Sequence, residues 1–208
     1  MSDFPNLFEK PEVAMILAAG RGERMRPLTD YTPKPLLPVA GKPLIEYHID
    51  HLVQGGFKRI VINYAHLGEQ IVERIGTGRR WGIKVSYSAE PEGALETGGG
   101  IAKALPLLGD APFLVVNGDI WSDYPLAQLA CPIGMLAHLV LVGNPQHHAE
   151  GDFHLDQNSA LHQQGMPKLT FSGIGVYRPE LFASCPSGAF PLGPLLRSMM
   201  DRGRIRGE

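Results

Sequence analysis

Val13-Ala14-Met15-Ile16-Leu17-Ala18-Ala19 is an unbroken apolar run closed by Gly20. A run without alternation fits a strand covered on both faces, and such strands belong to parallel sheets flanked by helices. Outward from it the pattern alternates. Leu44, Ile45, His48, Ile49 and Leu52 recur at helical spacing behind Pro43, which suits a first helical turn, and Gly55-Gly56 ends the helix. Phe57 to Asn63 reads as a second buried strand, Glu69 to Ile75 as a short helix and Ile83 to Tyr87 as a strand. Thr97 to Leu108 reads as a helix, and Phe113 to Asn117 as another buried strand ended by Gly118-Asp119. This order predicts an α/β fold with a doubly wound, mostly parallel sheet and right-handed crossovers. Ligands of such sheets lie beyond the carboxyl ends of the strands, where the Gly20 loop and Asp119 both fall.

Past residue 130 the pattern changes to strands with little helix between them: Met135 to Val142, Gly151 to Leu155 and Lys168 to Tyr177. Gln157 to Pro167 is polar without apolar periodicity and reads as a mobile surface loop. There are no internal repeats. With 208 residues, 44% of them hydrophobic, the chain can bury one substantial core, so one domain over residues 1–208 is expected, with Met1 to Glu12 as an N-terminal extension. Nineteen basic against twenty-one acidic residues give a formal charge of -2, which leaves no global positive field for a nucleic-acid backbone. No apolar stretch reaches the ~20 residues that span a bilayer, and the first twelve residues lack a signal-peptide run. Cys131 and Cys185 stand in no metal-ligand spacing and suit reduced thiols. The expectation is a cytoplasmic protein whose phosphate binding, if any, is local.

The segment from Gly20 to Gly41 is rich in Gly and Pro and sits between two well-patterned elements, where long loops are usually functional. Gly20 and Gly22 follow the first strand directly, so bare backbone N–H groups can approach phosphate oxygens, and Arg24 and Arg26 add charge. The dinucleotide fingerprint needs a third glycine where Met25 stands, and the Walker A pattern needs one where Leu36 stands before Gly41-Lys42. An ordinary glycine turn with solvated arginines is the competing reading. Lys34 weighs against it: Pro33 and Pro35 clamp this lysine and bias the backbone there toward an extended shape, which aims its ammonium at one spot.

Gly20-x-Gly-x-Arg24-Met-x-Pro27-Leu-Thr29 followed by Lys34-Pro-Leu resembles the nucleotidyltransferases that activate sugar 1-phosphates. The resemblance implies a Rossmann-like sheet of the nucleotide-diphospho-sugar transferase type. It also implies that Leu17, Ala18, Ala19, Gly20 and Gly22 wrap a nucleoside triphosphate while Arg24 and Lys34 act on its phosphates. Asp119, at a strand end behind Gly118, matches the family's first Mg²⁺ ligand, and Mg²⁺ suits one or two carboxylates completed by phosphate oxygens and water. The family's second ligand, in an Asp-x-Gly-Thr-like stretch, has no match before Glu208. Either the chain continues past Glu208 or the metal site is completed differently.

Ala89 to Gly100 resembles the family's base-cupping segment, with Glu90, Thr97 and Gly98 as nucleotide contacts and Glu92 beside them. Glu96-Thr-Gly-Gly-Gly-Ile, Val116-Asn-Gly-Asp119, His147-His148 with Gly151-Asp-Phe, and Thr170-Phe-Ser-Gly173 extend the likeness to the members that join UTP to N-acetylmuramic acid 1-phosphate in peptidoglycan recycling. That likeness implies Asn117, Asp152, Ser172 and Gly173 as sugar contacts. The guanylyltransferases of mannose 1-phosphate and the thymidylyltransferases of glucose 1-phosphate share much of the pattern, and a non-catalytic nucleotide-sugar-binding regulator is the alternative of another class. His147, His148, Asp152 and His154 lack the spacing of a closed metal site and read as loop and strand-edge residues.

Overall fold

The computed structural model describes residues 7–91 and 95–208. In chain order the principal elements are β1 (Val13–Leu17), α1 (Leu44–Gln54), β2 (Arg59–Tyr64), α2 (Gly68–Ile75), β3 (Lys84–Ala89), α3 (Glu96–Leu108) and β4 (Phe113–Asn117). After these come β5 (Ala137–Val142), β6 (Phe153–Leu155), β7 (Leu161–His162), β8 (Lys168–Tyr177), α4 (Leu192–Met200) and β9 (Ile205–Gly207). Together the strands form one sheet.

Half of that sheet is parallel, in the order β4-β1-β2-β3. Leu17 pairs with Asn63 on one side and Asn117 on the other, and Asn63 pairs with Ser88. The register therefore brings four strand ends into one row. The other half mixes directions: β8 runs antiparallel to β4 and β5, β6 antiparallel to β8, and β9 parallel to β5. The doubly wound α/β expectation is borne out, and the change of pattern past residue 130 marks where the mixed half begins.

The apolar run of β1 is covered on both faces. Val13 and Met15 join Val115, Ile101, Ala104, Leu108 and Leu196, on the side of α3 and α4. Ala14 and Ile16 join Leu114 and Val116 with Ile45, Ile49 and Leu52 of α1 and Ile71 and Ile75 of α2. Burying each such aliphatic side chain contributes roughly 1.5–3 kcal/mol, so a polar residue in this run is excluded by the packing.

Three sequence expectations need correction. Gln157–Pro167 is not simply a loop, because it holds β7 and buries Leu161 to 1% exposure. A single leucine leaves no periodicity to read, and pairing of Leu155 with Leu161 and of Ala160 with Arg206 holds the segment down. Lys34 is not extended; it opens a 3-10 turn over Lys34–Leu36, closed by Leu36 N–H to Pro33 O at 2.8 Å. Pro35 is tolerated in a first turn because its missing N–H would have no partner there, which overrides the pre-proline bias. The C-terminal half also contains α4, whose Leu192, Leu196 and Met200 face the core at four-residue spacing.

Candidate active site

At the carboxyl ends of the parallel strands lies a cleft of ≈ 610 Å³. Leu17, Ala18, Ala19, Gly20, Gly22, Arg24, Lys34, Glu90, Thr97, Asn117 and Asp119 all line it. The loop's two glycines serve different ends. Gly22 has φ +68°, and a Cβ there would stand 3.0 Å from Thr29 Cγ2 and 3.1 Å from Lys34 Cβ, so the loop can cross the lysine stem only as glycine. Buried Thr29 holds that crossing by donating its hydroxyl to Gly22 O at 3.0 Å. Among the described residues no atom lies within 4 Å of where a Cβ on Gly20 would sit, so its bareness faces the cleft.

Lys34 Nζ donates to Asp119 Oδ2 at 2.7 Å, joining the loop to the turn after β4. Gly118 N–H donates to Leu17 O at 2.8 Å and fixes that turn against β1. Beneath it His48 of α1 is buried, and among the described residues its Nε2 has no partner; burial pushes its pKa below the usual range, opposed by the Gly118 carbonyl and the Asp119 charge. Among the described residues no three His, Cys, Asp or Glu side chains converge as a metal cluster. Asp119 nonetheless fits Mg²⁺ chemically: it is a half-exposed hard-oxygen ligand on the wall that faces the glycine loop.

At the β2–β3 end of the cleft, Asn63 and Glu90 meet, and Glu96 opens α3 in a left-handed conformation, φ +55°. Asn63 and Glu96 line the cleft and were missed in the sequence, although a polar residue closing the apolar run Ile60-Val61-Ile62 is a readable signal for the first. Gly98 does not reach the cleft wall: it is buried against Phe190, whose Cε2 would lie 2.4 Å from a Cβ. Glu92 lies outside the described residues.

At the other end, Asn117 meets β8. The ladder with β5 shifts register between Phe171 and Gly175, and at this bulge Gly173, φ +83°, presses on the Asn117 amide. Asp152 and Ser172 are not on the cleft wall. Asp152 accepts from Phe171 N–H at 2.8 Å and lies 3.2 Å from His148 Nε2, and Ser172 donates to Val140 O at 2.7 Å. Both brace the bulge from behind. His154 turns instead to Pro167 O at 2.9 Å.

A glycine loop, a lysine–aspartate pair and a row of parallel strand ends around one cleft suit a nucleotide-handling enzyme, and the chain belongs to the sugar-1-phosphate nucleotidyltransferases, its residues 13–154 matching the nucleotidyl transferase family. It is 53% identical over 203 residues to the N-acetylmuramate alpha-1-phosphate uridylyltransferase of Neisseria meningitidis serogroup B, covering 94% of this chain and 88% of that protein. The protein of the same description from Caulobacter vibrioides is 34% identical, with 96% and 88% covered. A putative glucose-1-phosphate thymidylyltransferase from Bacillus anthracis shares the fold with a TM-score of 0.76 over 94% of this chain and 85% of that one, at 22% identity. Among the described residues no helix is long and apolar enough to cross a membrane.

Proposed function

We propose that the protein is a uridylyltransferase that converts UTP and N-acetylmuramic acid 1-phosphate to UDP-N-acetylmuramic acid and pyrophosphate, in the cytoplasm, as a step of peptidoglycan recycling. The observation that carries nucleotidyl transfer is the Lys34–Asp119 pair, 2.7 Å apart on a cleft shared with the glycine loop. The choice of base and sugar rests on the likeness to the two uridylyltransferases.

A phosphate oxygen of the sugar attacks the α-phosphorus as the bond to the bridging oxygen of pyrophosphate breaks. The nucleophile is already anionic and needs no general base, so the chain's work is orientation and charge neutralisation. Backbone N–H groups between Gly20 and Gly22, with Arg24, hold the triphosphate, and Lys34 neutralises charge on the reacting phosphates. Asp119 would hold Mg²⁺, which when bound offsets negative charge on the phosphates. Glu90, Thr97 and the first turn of α3 form the base end. Asn117 and Gly173 form the sugar end, with Asp152 and Ser172 shaping the bulge behind it.

The test is pyrophosphate release with Mg²⁺ and UTP, GTP or dTTP against N-acetylmuramic acid 1-phosphate and hexose 1-phosphates. UTP with the muramic acid substrate is expected to dominate. Lys34→Ala is expected to slow turnover by roughly 10²–10³, the cost of losing one preorganised transition-state contact. Full activity in that variant would sink the assignment.

A further inference from the structure

Asn63 closes β2 opposite Leu17 and is 3% exposed. Its Oδ1 accepts from Ala18 N–H at 2.8 Å, at the entrance to the glycine loop. Its Nδ2 donates to Glu90 Oε1 at 2.6 Å, just past β3. The second oxygen of Glu90 accepts from Leu95 N–H at 2.8 Å, immediately before α3. One amide and one carboxylate thus tie together the ends of three parallel strands and the start of a helix. From the other side Gly100 leaves them room, since a Cβ there would lie 2.5 Å from Glu90 Oε1 and 3.0 Å from Asn63 Nδ2.

The polarity of this chain of bonds is fixed by chemistry. Position 63 must accept toward Ala18 and donate toward Glu90, which an amide does and a carboxylate cannot; position 90 must accept on both oxygens, which a carboxylate does and an amide cannot. The two ends of the chain also serve two parts of the cleft: Ala18 enters the loop beside Lys34, and Leu95 leads into Glu96 and Thr97. The sugar end, Asn117 and Gly173, lies across β1 and is not touched by it.

We infer that Asn63 is a positioning residue for the nucleotide: through Glu90 it sets the spacing between the phosphate loop and the base end of the cleft. The inference rests on the nucleotidyl-transfer reading above. It predicts an effect confined to one substrate. In N63D two carboxylates face each other, and both the KM and the directly measured Kd for UTP are expected to rise about 10- to 100-fold at pH 8, as for loss of a charge-assisted hydrogen bond. The KM for the sugar 1-phosphate and kcat are expected to stay within about threefold.

The double variant N63D/E90Q reverses the donor and acceptor between the two side chains while leaving an amide oxygen for Leu95 N–H. Its UTP affinity is expected to return to within about threefold of the original chain, the behaviour of directly coupled neighbours. If N63D does not fold, as judged by circular dichroism and thermal melting, E90Q alone carries the same test, with N63D as its rescuing second change. The inference is overturned if the single variant binds UTP like the original chain, if both substrates weaken alike, or if the double variant is no better than the single. Failure of the function reading looks different, because the unaltered chain would then neither bind UTP nor release pyrophosphate.

Discussion

Gly20 and Gly22 stand two residues apart in one loop and are glycines for unrelated reasons. Gly22 is required by the folded chain itself, with φ +68° and the stem of Lys34 beneath it. Gly22→Ala is expected to cost about 1–2 kcal/mol from the left-handed backbone alone, visible as a lower urea midpoint. A Cβ on Gly20 would meet none of the described residues, so Gly20→Ala is expected to leave the melting temperature unchanged and weaken UTP binding in calorimetry. Equal loss of stability in both variants would contradict this division. Gly20, Lys34 and Asp119 are legible because each stands beside a recognisable strand end or proline, and Gly22 and Arg24 through the family resemblance that the spacing carries. Asn63 was not picked out, because a strand-end asparagine is ordinary until its partners at Ala18 and Glu90 are known.

At the scale of the element, the start of α3 is the most demanding piece of packing near the cleft. Gly99 is buried, and a Cβ there would approach the Gly188 carbonyl oxygen to 2.3 Å, while Phe190 N–H and O bond to Leu95 and Gly99. Backbone on both sides cannot yield as a side chain could. Gly99→Ala is therefore expected to destabilise by about 1–3 kcal/mol in urea denaturation, the usual cost of overpacking. Of the three consecutive glycines that open α3, the family resemblance implies Gly98 as a nucleotide contact. In the structure two of them, Gly98 and Gly99, make room for residues 188–190 and the third for the Asn63–Glu90 bond, because a glycine run reports that something comes close without reporting what.

Over the whole molecule, pH below 7 enters through the buried imidazoles of His48 and His138, with the partly buried His51 shifted in the same direction. Burial holds His48 and His138 below the ordinary histidine value of 6.5. The unfolded chain therefore takes up these protons first on acidification, so their stabilising contribution is complete above about pH 6.5 and is lost as pH falls through the lowered values. Melting temperature is expected to be level from pH 8 to 7 and to fall toward pH 5.5, with a shallower fall in His48→Gln; the same slope in that variant would remove His48 from the account. The sequence by itself determined the alternation of elements, the apolar faces of β1 and α1, and the glycine loop on the cleft, since these depend on periodicity and on residues close together in the chain. Only the tertiary structure decided the antiparallel insertion of β8 beside β4, the docking of β7 by one leucine, and the meeting of Ala18, Asn63, Glu90 and Leu95. Those features depend on which strands become neighbours and in what register, and a hydrogen bond such as that between Ala18 and Asn63, 45 positions apart, leaves no local pattern to read.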